Sequence, residues 1–326
     1  VSLDPVAYLP YKDPDDFIRE VTDLIWVDRS IHYIRENYEP DSIVHGAYGT
    51  SNTRDEVIEG TLMRISATPD RTGQAADVIW EARGDDAFLS SHLVLSGQLQ
   101  TSEHSYTIAN CLYRKGRMVE EWVVRDSLAG ALAQGADLDE LARAQAFRGY
   151  TGSWTEPAPS DPIAKGDSGA RPDDYRSEVE TVIDMIQTVW NDRDLQKVEK
   201  FFHRDLVLQT VGNRVVIRPE GYRRALLKFL ESFPGGHFEI RDIQTNYDVR
   251  YAGLRVAVTW KFTGAYNGKA NYGPLTGQPV DVLGISQFTF HQGALVKEVR
   301  LWDDIALRAQ IAGMRGDEPV GPSNIY

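Results

Sequence analysis

Ile25-Trp26-Val27-Asp28-Arg29-Ser30-Ile31 stands near the start of the chain, and Val189-Trp190-Asn191-Asp192-Arg193-Asp194-Leu195 stands just past its middle. Both carry W-x-D-R. The residues that follow keep step without a gap: Ile34, Tyr38, Asp41 and Val44 in one half, Val198, Phe202, Asp205 and Leu208 in the other. A second match lies further on. Lys115-Gly116-Arg117-Met118-Val119-Glu120-Glu121 precedes Asp126, and Gln292-Gly293-Ala294-Leu295-Val296-Lys297-Glu298 precedes Asp303. In each, the Asp falls five residues after a Glu. Matches at both ends of each half, in the same order, mark a duplicated unit.

The chain has 326 residues, too many for one ordinary core and suited to two. Between the halves lies a stretch with Pro157, Pro159, Pro162 and Pro172 among Gly, Ser and Asp. That composition reads as an exposed linker. The expected division is a first domain over 1–149, a linker over 150–174 and a second domain over 175–326.

Helical spacing opens each unit, as in Val179, Val182, Ile183, Ile186, Val189 and Trp190. Further helices are predicted over Ile31–Tyr38 and Leu195–Phe202, and over Arg54–Ser66 and Pro219–Ser232. Short strands, Ser42–Ala47 and Leu206–Val211, fall between them. The rest reads as strand. Val256, Val258, Trp260 and Phe262 alternate along one face. Lys115-Gly116 and Gln292-Gly293 have the form of two-residue hairpin turns. Helices first and strands after predict an α+β fold. Each unit is expected to be a cone: a curved antiparallel sheet wrapped by helices, a cystatin-like α+β roll with a blind pocket.

Tyr272-Gly273-Pro274-Leu275-Thr276-Gly277-Gln278-Pro279-Val280 then stands out. It resembles the G-x-P-x-T-G-x-x-V signature of SnoaL-type polyketide cyclases, a family of the nuclear-transport-factor-2-like superfamily. Gly284-Ile285-Ser286, Gln292-Gly293 and Trp302-Asp303-Asp304 follow at fitting distances. The resemblance covers most of residues 176–311. It implies that the terminal Trp-Asp closes the last strand and that Asp303 acts as acid and base. The first unit lacks the Pro-x-Thr-Gly loop but keeps Glu121-Trp122-Val123-Val124-Arg125-Asp126. It is similar to the broader superfamily, which includes ketosteroid isomerases and scytalone dehydratases. The activities implied are cyclase, isomerase or lyase chemistry.

Strand alternation offers a separate argument. Met118, Trp122, Val124 and Asp126 share one parity, as do Leu295, Val299, Leu301 and Asp303. If those faces line the cones, both aspartates point inward, Asp303 lies opposite Val282, and Gly284 and Ser286 leave room beside it. Glu121, Glu298, Asn110 and Gln287 would then face the other way, toward an interface between the units. A desolvated carboxylate could take a proton alpha to a carbonyl, as the aspartate base of ketosteroid isomerase does. Hydrogen-bond donors would come from His45 and His92 in the first unit. In the second they would come from Gln209, Trp260 and His203. Trp122 and Trp302 would line the pockets. Each of these has a plainer reading as well. A strand-terminal Asp caps the next helix, a strand His sits satisfied in a core, and His203 caps a helix end.

The net charge of −13 argues against a nucleic-acid or anionic-membrane partner. A single Cys111 excludes an intramolecular disulfide. The histidines show no metal-ligand spacing, and no dinucleotide or phosphate-loop motif occurs, so no metal and no cofactor are expected. No apolar run is long enough to span a bilayer, and no signal peptide is visible, which favours the cytoplasm. The expected partner is a small hydrophobic molecule. The two units are expected to pair as a pseudo-dimer within one chain, and a further oligomer stays compatible with the sequence. Two functions remain open: a cofactor-free acid/base enzyme acting on a hydrophobic carbonyl compound, and a non-catalytic binding protein of the same fold.

Overall fold

The computed structural model describes residues 3–98, 104–147, 176–248 and 253–316. The predicted linker, 150–174, lies outside the described residues. The first unit runs α1 (Pro14–Trp26), α2 (Ile31–Asn37), β1 (Tyr38–Gly46), β2 (Gly49–Ser51), α3 (Arg54–Ala67), β3 (Arg71–Ala82), β4 (Ala87–Gln98), β5 (His104–Arg114), β6 (Arg117–Arg125), α4 (Ser127–Ala133) and α5 (Leu138–Phe147). The second runs α6 (Arg176–Met185), a π-helical turn (Ile186–Asn191), α7 (Val198–Phe201), β7 (Phe202–Thr210), β8 (Arg214–Ile217), α8 (Arg218–Leu230), β9 (His237–Asp248), β10 (Gly253–Ala265), β11 (Pro279–His291), β12 (Ala294–Trp302) and α9 (Asp304–Arg315). The sheet orders are β2-β1-β6-β5-β4-β3 and β8-β7-β12-β11-β10-β9, identical strand for strand. The fold is α+β, two repeated units, as expected. The sheets are not wholly antiparallel, because β1 pairs with β6 and β7 with β12 in parallel. Each of those pairs joins the first and last long strands, and so long a connection permits parallel pairing.

Local chemistry explains the opening of each unit. Asp13 caps α1 by accepting from the Asp16 N–H at 2.8 Å, and Pro14 suits the first turn. Phe17, Ile18, Val21 and Ile25 then bury one face. Arg29 and Arg193 of the W-x-D-R motifs both take left-handed backbone, φ 60°. Arg193 Nη2 donates to the carbonyls of Phe233 at 2.9 Å and Gly236 at 3.0 Å. Arg29 Nη2 donates to those of Pro69 and Arg71, both at 2.6 Å. The repeated motif therefore ties the exit of the opening helices to the turn between the third helix and the sheet.

The hairpin turns form where expected, with positive φ at Lys115 and Gly116 and at Gln292 and Gly293. One step beyond each turn the ladder slips. Tyr113 pairs with Met118 but Leu112 pairs with Glu120, which leaves Val119 as an extra residue. Phe290 pairs with Leu295 but Thr289 pairs with Lys297, which leaves Val296 extra. These β-bulges reverse the alternation for the rest of each strand. Glu121, Val123 and Arg125 turn into the first cone, and Glu298, Arg300 and Trp302 into the second. Trp122, Val124 and Asp126, and Val299, Leu301 and Asp303, turn outward. The parity expected from the sequence is corrected on this point: both aspartates face away from the cones, and both glutamates face in. Trp302, not Asp303, is the residue opposite the Gly284 region.

The outward faces meet. Leu93, Ile108 and Val124 of the first unit join the buried cluster that holds Ile285, Val299 and Leu301 of the second. Asn110 Nδ2 donates to Thr259 Oγ1 at 2.5 Å, and Gln287 Nε2 donates to Ser91 Oγ at 3.0 Å. These two residues occupy the seam, as expected. Asp77 and Asp242 sit at matching bulges in β3 and β9. Each receives an arginine from the other unit: Arg255 bonds Asp77 and the Val78 carbonyl, and Arg83 bonds Asp242 at 3.2 Å. Arg255 is fully buried.

A buried pair broken on one side leaves a stranded charge. Asp77→Ala is expected to lower unfolding free energy by about 3–5 kcal/mol, whereas the joint replacement Asp77→Leu, Arg255→Met is expected to recover most of it. Urea denaturation of the three proteins checks this.

Candidate functional site

The second cone is filled. Trp260 pairs with Gly284, and a Cβ at Gly284 would collide with its indole ring. The room expected beside Gly284 and Ser286 is occupied by that ring. Trp260 Nε1 donates to Ser286 Oγ at 3.1 Å, and Ser286 donates to Glu298 Oε1 at 3.1 Å. Arg300 stacks over Trp190 and Tyr222 at 5.2 and 5.1 Å and lies 3.7 Å from Glu298. Trp190 Nε1 donates to the Tyr222 hydroxyl at 2.9 Å. Burial pushes the Glu298 carboxyl above its ordinary range, against the pull of Arg300. Trp302 packs on Phe229 with ring centroids 5.2 Å apart. Glu298 is thus a buried carboxylate in a packed interior.

The first cone differs at the matching positions. Glu121 stands where Glu298 stands, and Arg125 where Trp302 stands. Both are deeply set in the unit yet keep part of their surface accessible. Burial raises the Glu121 carboxyl, and Arg125, Arg64 and His45 oppose that rise, in that order. Burial first, and then the like charge of Arg64, lower Arg125 to about 9. That still leaves Arg125 cationic at neutral pH. His92 also faces this cone, paired with Val78 and Ala109 of the core. Burial lowers its imidazole to about 4, so it is neutral at neutral pH. Its Nδ1 lies 3.4 Å from Ser90 Oγ.

Asp126 and Asp303 lie on the seam as helix caps. Asp126 accepts from the Ala129 N–H at 3.2 Å and, across the seam, from Gly212 N–H at 2.7 Å and Asn213 N–H at 2.8 Å. Asp303 accepts from the Ala306 N–H at 3.0 Å and from Ser127 Oγ of the first unit at 2.7 Å. Burial raises Asp126, opposed by its three N–H donors. Burial raises Asp303 to about 6, opposed by Ser127 and the Ala306 N–H. His45 also belongs to the outward face, where Nε2 meets Glu120 Oε1 at 2.7 Å and the ring stacks on Trp122 at 5.2 Å. Gln209 pairs with Val299 on the outward side, half-buried. His203 is exposed, its Nδ1 accepting from the Asp205 N–H at 3.2 Å. Of the residues singled out from sequence in the first unit, His92 alone faces the cone. Among the described residues no group of His, Cys, Asp and Glu is gathered for a metal. No described helix is long and apolar enough to cross a membrane.

Glu121 and Glu298 had a signal in the sequence. They occupy the same place in the repeat, five residues before the aspartates. The bulge that turns them inward had none.

The Asp303 carboxyl binds its proton more tightly folded, at about 6, than at the ordinary 3.8. The folded state therefore carries more protons between those values, and this contribution to stability, full below about pH 4, is lost as pH rises through 6. Asp303→Asn keeps an oxygen to accept from the Ala306 N–H, places an Nδ2 donor where Ser127 Oγ can accept, and removes the titration. The variant is expected to gain about 2 kcal/mol on the parent between pH 4 and pH 7, measured by denaturation at each pH.

Residues 180–311 match the family model described as SnoaL-like polyketide cyclase. Comparison with curated proteins gives no match. Solved structures similar to this chain include a candidate SnoaL-like polyketide cyclase of Jannaschia sp. CCS1, 22% identical, spanning 44% of this chain and 97% of that one at TM-score 0.40. AclR, a candidate hydroxylase of Streptomyces galilaeus, is 20% identical over 44% of this chain and 84% of its own, TM-score 0.36. IdmH, a candidate polyketide cyclase of Streptomyces antibioticus, is 18% identical over 41% and 96%, TM-score 0.35. The match over 180–311 makes the likeness to the SnoaL-like polyketide cyclase family a property of the second unit, and the first unit repeats that unit's architecture strand for strand.

Proposed function

We propose that the first cone is a cofactor-free acid/base site for a hydrophobic carbonyl compound, with Glu121 as the base, and that the second cone serves as its structural partner. The observation that carries this reading is the contrast between equivalent carboxylates: Glu121 is half-buried and makes no hydrogen bond or ion pair to any described residue, whereas Glu298 is sealed in and bonded. A base needs a free lone pair directed at the substrate. Asp126 spends its oxygens on three backbone donors, and Asp303 on a cap and a hydroxyl.

In this reading Glu121 takes the proton alpha to the carbonyl. Its raised carboxyl keeps enough basicity for that transfer. The developing enolate oxygen is stabilised by the Arg125 guanidinium, a fixed cation in a partly desolvated site. His92, neutral, supplies a polar edge to an otherwise apolar wall. Cyclisation, isomerisation and dehydration all begin with such a proton transfer. The family match is compatible with this chemistry but does not select among the three.

A second reading has its own observation. Arg125 and Arg64 pull against the rise that burial causes in Glu121, and charged groups of both signs on one wall suit the holding of a polar ligand without turnover.

Exchange of alpha protons for deuterium on a panel of polycyclic ketones separates the two. Wild type is expected to exceed the buffer rate, Glu121→Gln to fall by about 100-fold or more, and Glu298→Gln and Asp303→Asn to stay near wild type. No exchange above buffer by wild type would remove the catalytic reading.

A further inference from the structure

We infer that the first unit joins a second copy of this chain through the groove between α2 and α3, in a two-fold dimer. No residue of that groove belongs to the proposed catalytic site, so the inference stands apart from the proposed function.

The two units differ at this face. Arg35 stands nine residues after Trp26, and Glu199 nine residues after Trp190. Glu59 is the sixth residue of α3, and Arg223 is the sixth of α8. The two pairs occupy matching places with their charges exchanged. In the second unit the pair is closed: Arg223 Nη1 donates to Glu199 Oε1 at 3.1 Å and ties α7 to α8. Leu226 and Leu230 of α8 are both 2% exposed. In the first unit the pair is open. The side chains of Arg35, Asp55 and Glu59 make no hydrogen bond or ion pair to any described residue. A groove of about 590 Å³ lies between the helices, with Arg35 on the α2 side and Asp55, Ile58, Glu59, Leu62 and Met63 on the α3 side. Ser66, which also lines it, stands at the place of Leu230 and leaves the hollow unfilled. Leu62, the counterpart of Leu226, is 46% exposed, and Met63 is 55% exposed.

Whatever covers this face must bring an apolar ridge for Leu62 and Met63, an anion for Arg35 and a cation for Asp55 and Glu59. The same face of a second copy brings all three. Under a two-fold axis, Arg35 of one protomer meets Glu59 of its partner, and the reverse pair forms at the same time. Leu62 and Met63 make a ridge on each α3 that enters the groove of the partner, as packed helices interlock. Burial of these two side chains supplies the favourable term, and a methionine adapts its shape to the surface it meets. Asp55 and Glu59 lie one turn apart on α3 and repel each other. The incoming guanidinium relieves that repulsion.

Sedimentation velocity of the full chain between about 2 and 200 µM tests the inference. Wild type is expected to pass from monomer to dimer in that range, as suits a contact of modest area. Met63→Glu is expected to stay monomeric. Met63 is exposed, so this variant is expected to fold, and circular dichroism verifies it. Arg35→Glu and Glu59→Arg are each expected to weaken the dimer at least about tenfold, because each sets like charges across the axis. Mixing these two variants in equal amounts is expected to restore it, since every contact across the axis then joins opposite charges. A folding defect in either protein would not give that recovery. A wild type that stays monomeric at about 200 µM overturns the inference. So does a dimer that persists in Met63→Glu, or a mixture of the charge variants that shows no recovery. A monomeric wild type whose Met63 methyl signal in NMR shifts on addition of n-octylamine assigns the groove to a small amphiphile, and that result overturns it too.

Discussion

Each sheet is apolar on both faces, and that condition governs the molecule. One face is covered by the unit's own helices, around Phe17 and Phe88 in the first cone and Trp190 and Phe238 in the second. The other face is covered chiefly by the opposing unit. Ile108 and Val124, and Ile285 and Leu301, would lie in water if a unit stood alone. Burial of that area is the dominant favourable term, so the units pack sheet on sheet. The buried polar groups of the seam follow from it. Once Arg255 is removed from water, Asp77 must come with it.

A single extra residue in the last strand then decides what each face contains. Val119 and Val296 take no partner in the ladder. Their insertion sends the glutamates inward and the strand-end aspartates to the seam. At the seam an aspartate can do two jobs. It caps the helix that starts at the next residue, and it accepts a donor from the other unit. Asp126 holds the Gly212-Asn213 turn, and Asp303 holds Ser127. The motif that resembles a catalytic ending thus supports docking between units.

The two cones have diverged in what fills them. In the second, Trp260 covers Gly284, and Trp190, Tyr222 and Arg300 complete a closed network around Glu298. In the first, Arg125 replaces the final tryptophan and Glu121 keeps accessible surface. A duplicated pair frees one member from chemistry so long as it preserves the seam. That asymmetry is why the proposed function concerns the first cone, although the family match falls on the second.

The sequence by itself determined the duplication, the α+β class, both hairpin turns and the placement of Asn110 and Gln287 at an interface. Each of these rests on local pattern: a repeated motif, helical or alternating spacing, a Gly at a turn. Its placement of Asp126, Asp303, His45 and Trp122 inside the cones did not survive, because alternation carries forward only while the ladder is unbroken. A bulge is fixed by pairing with a strand far along the chain, and nothing in Met118-Val119-Glu120 or Leu295-Val296-Lys297 announces it. Only the tertiary structure decided which carboxylate faces the hollow, since one residue of slip exchanges every inward side chain for its neighbour. Likewise the composition could not tell how the second cone is filled. That depends on where the Trp260 indole comes to rest, a matter of packing between strands and not of the residues on either one.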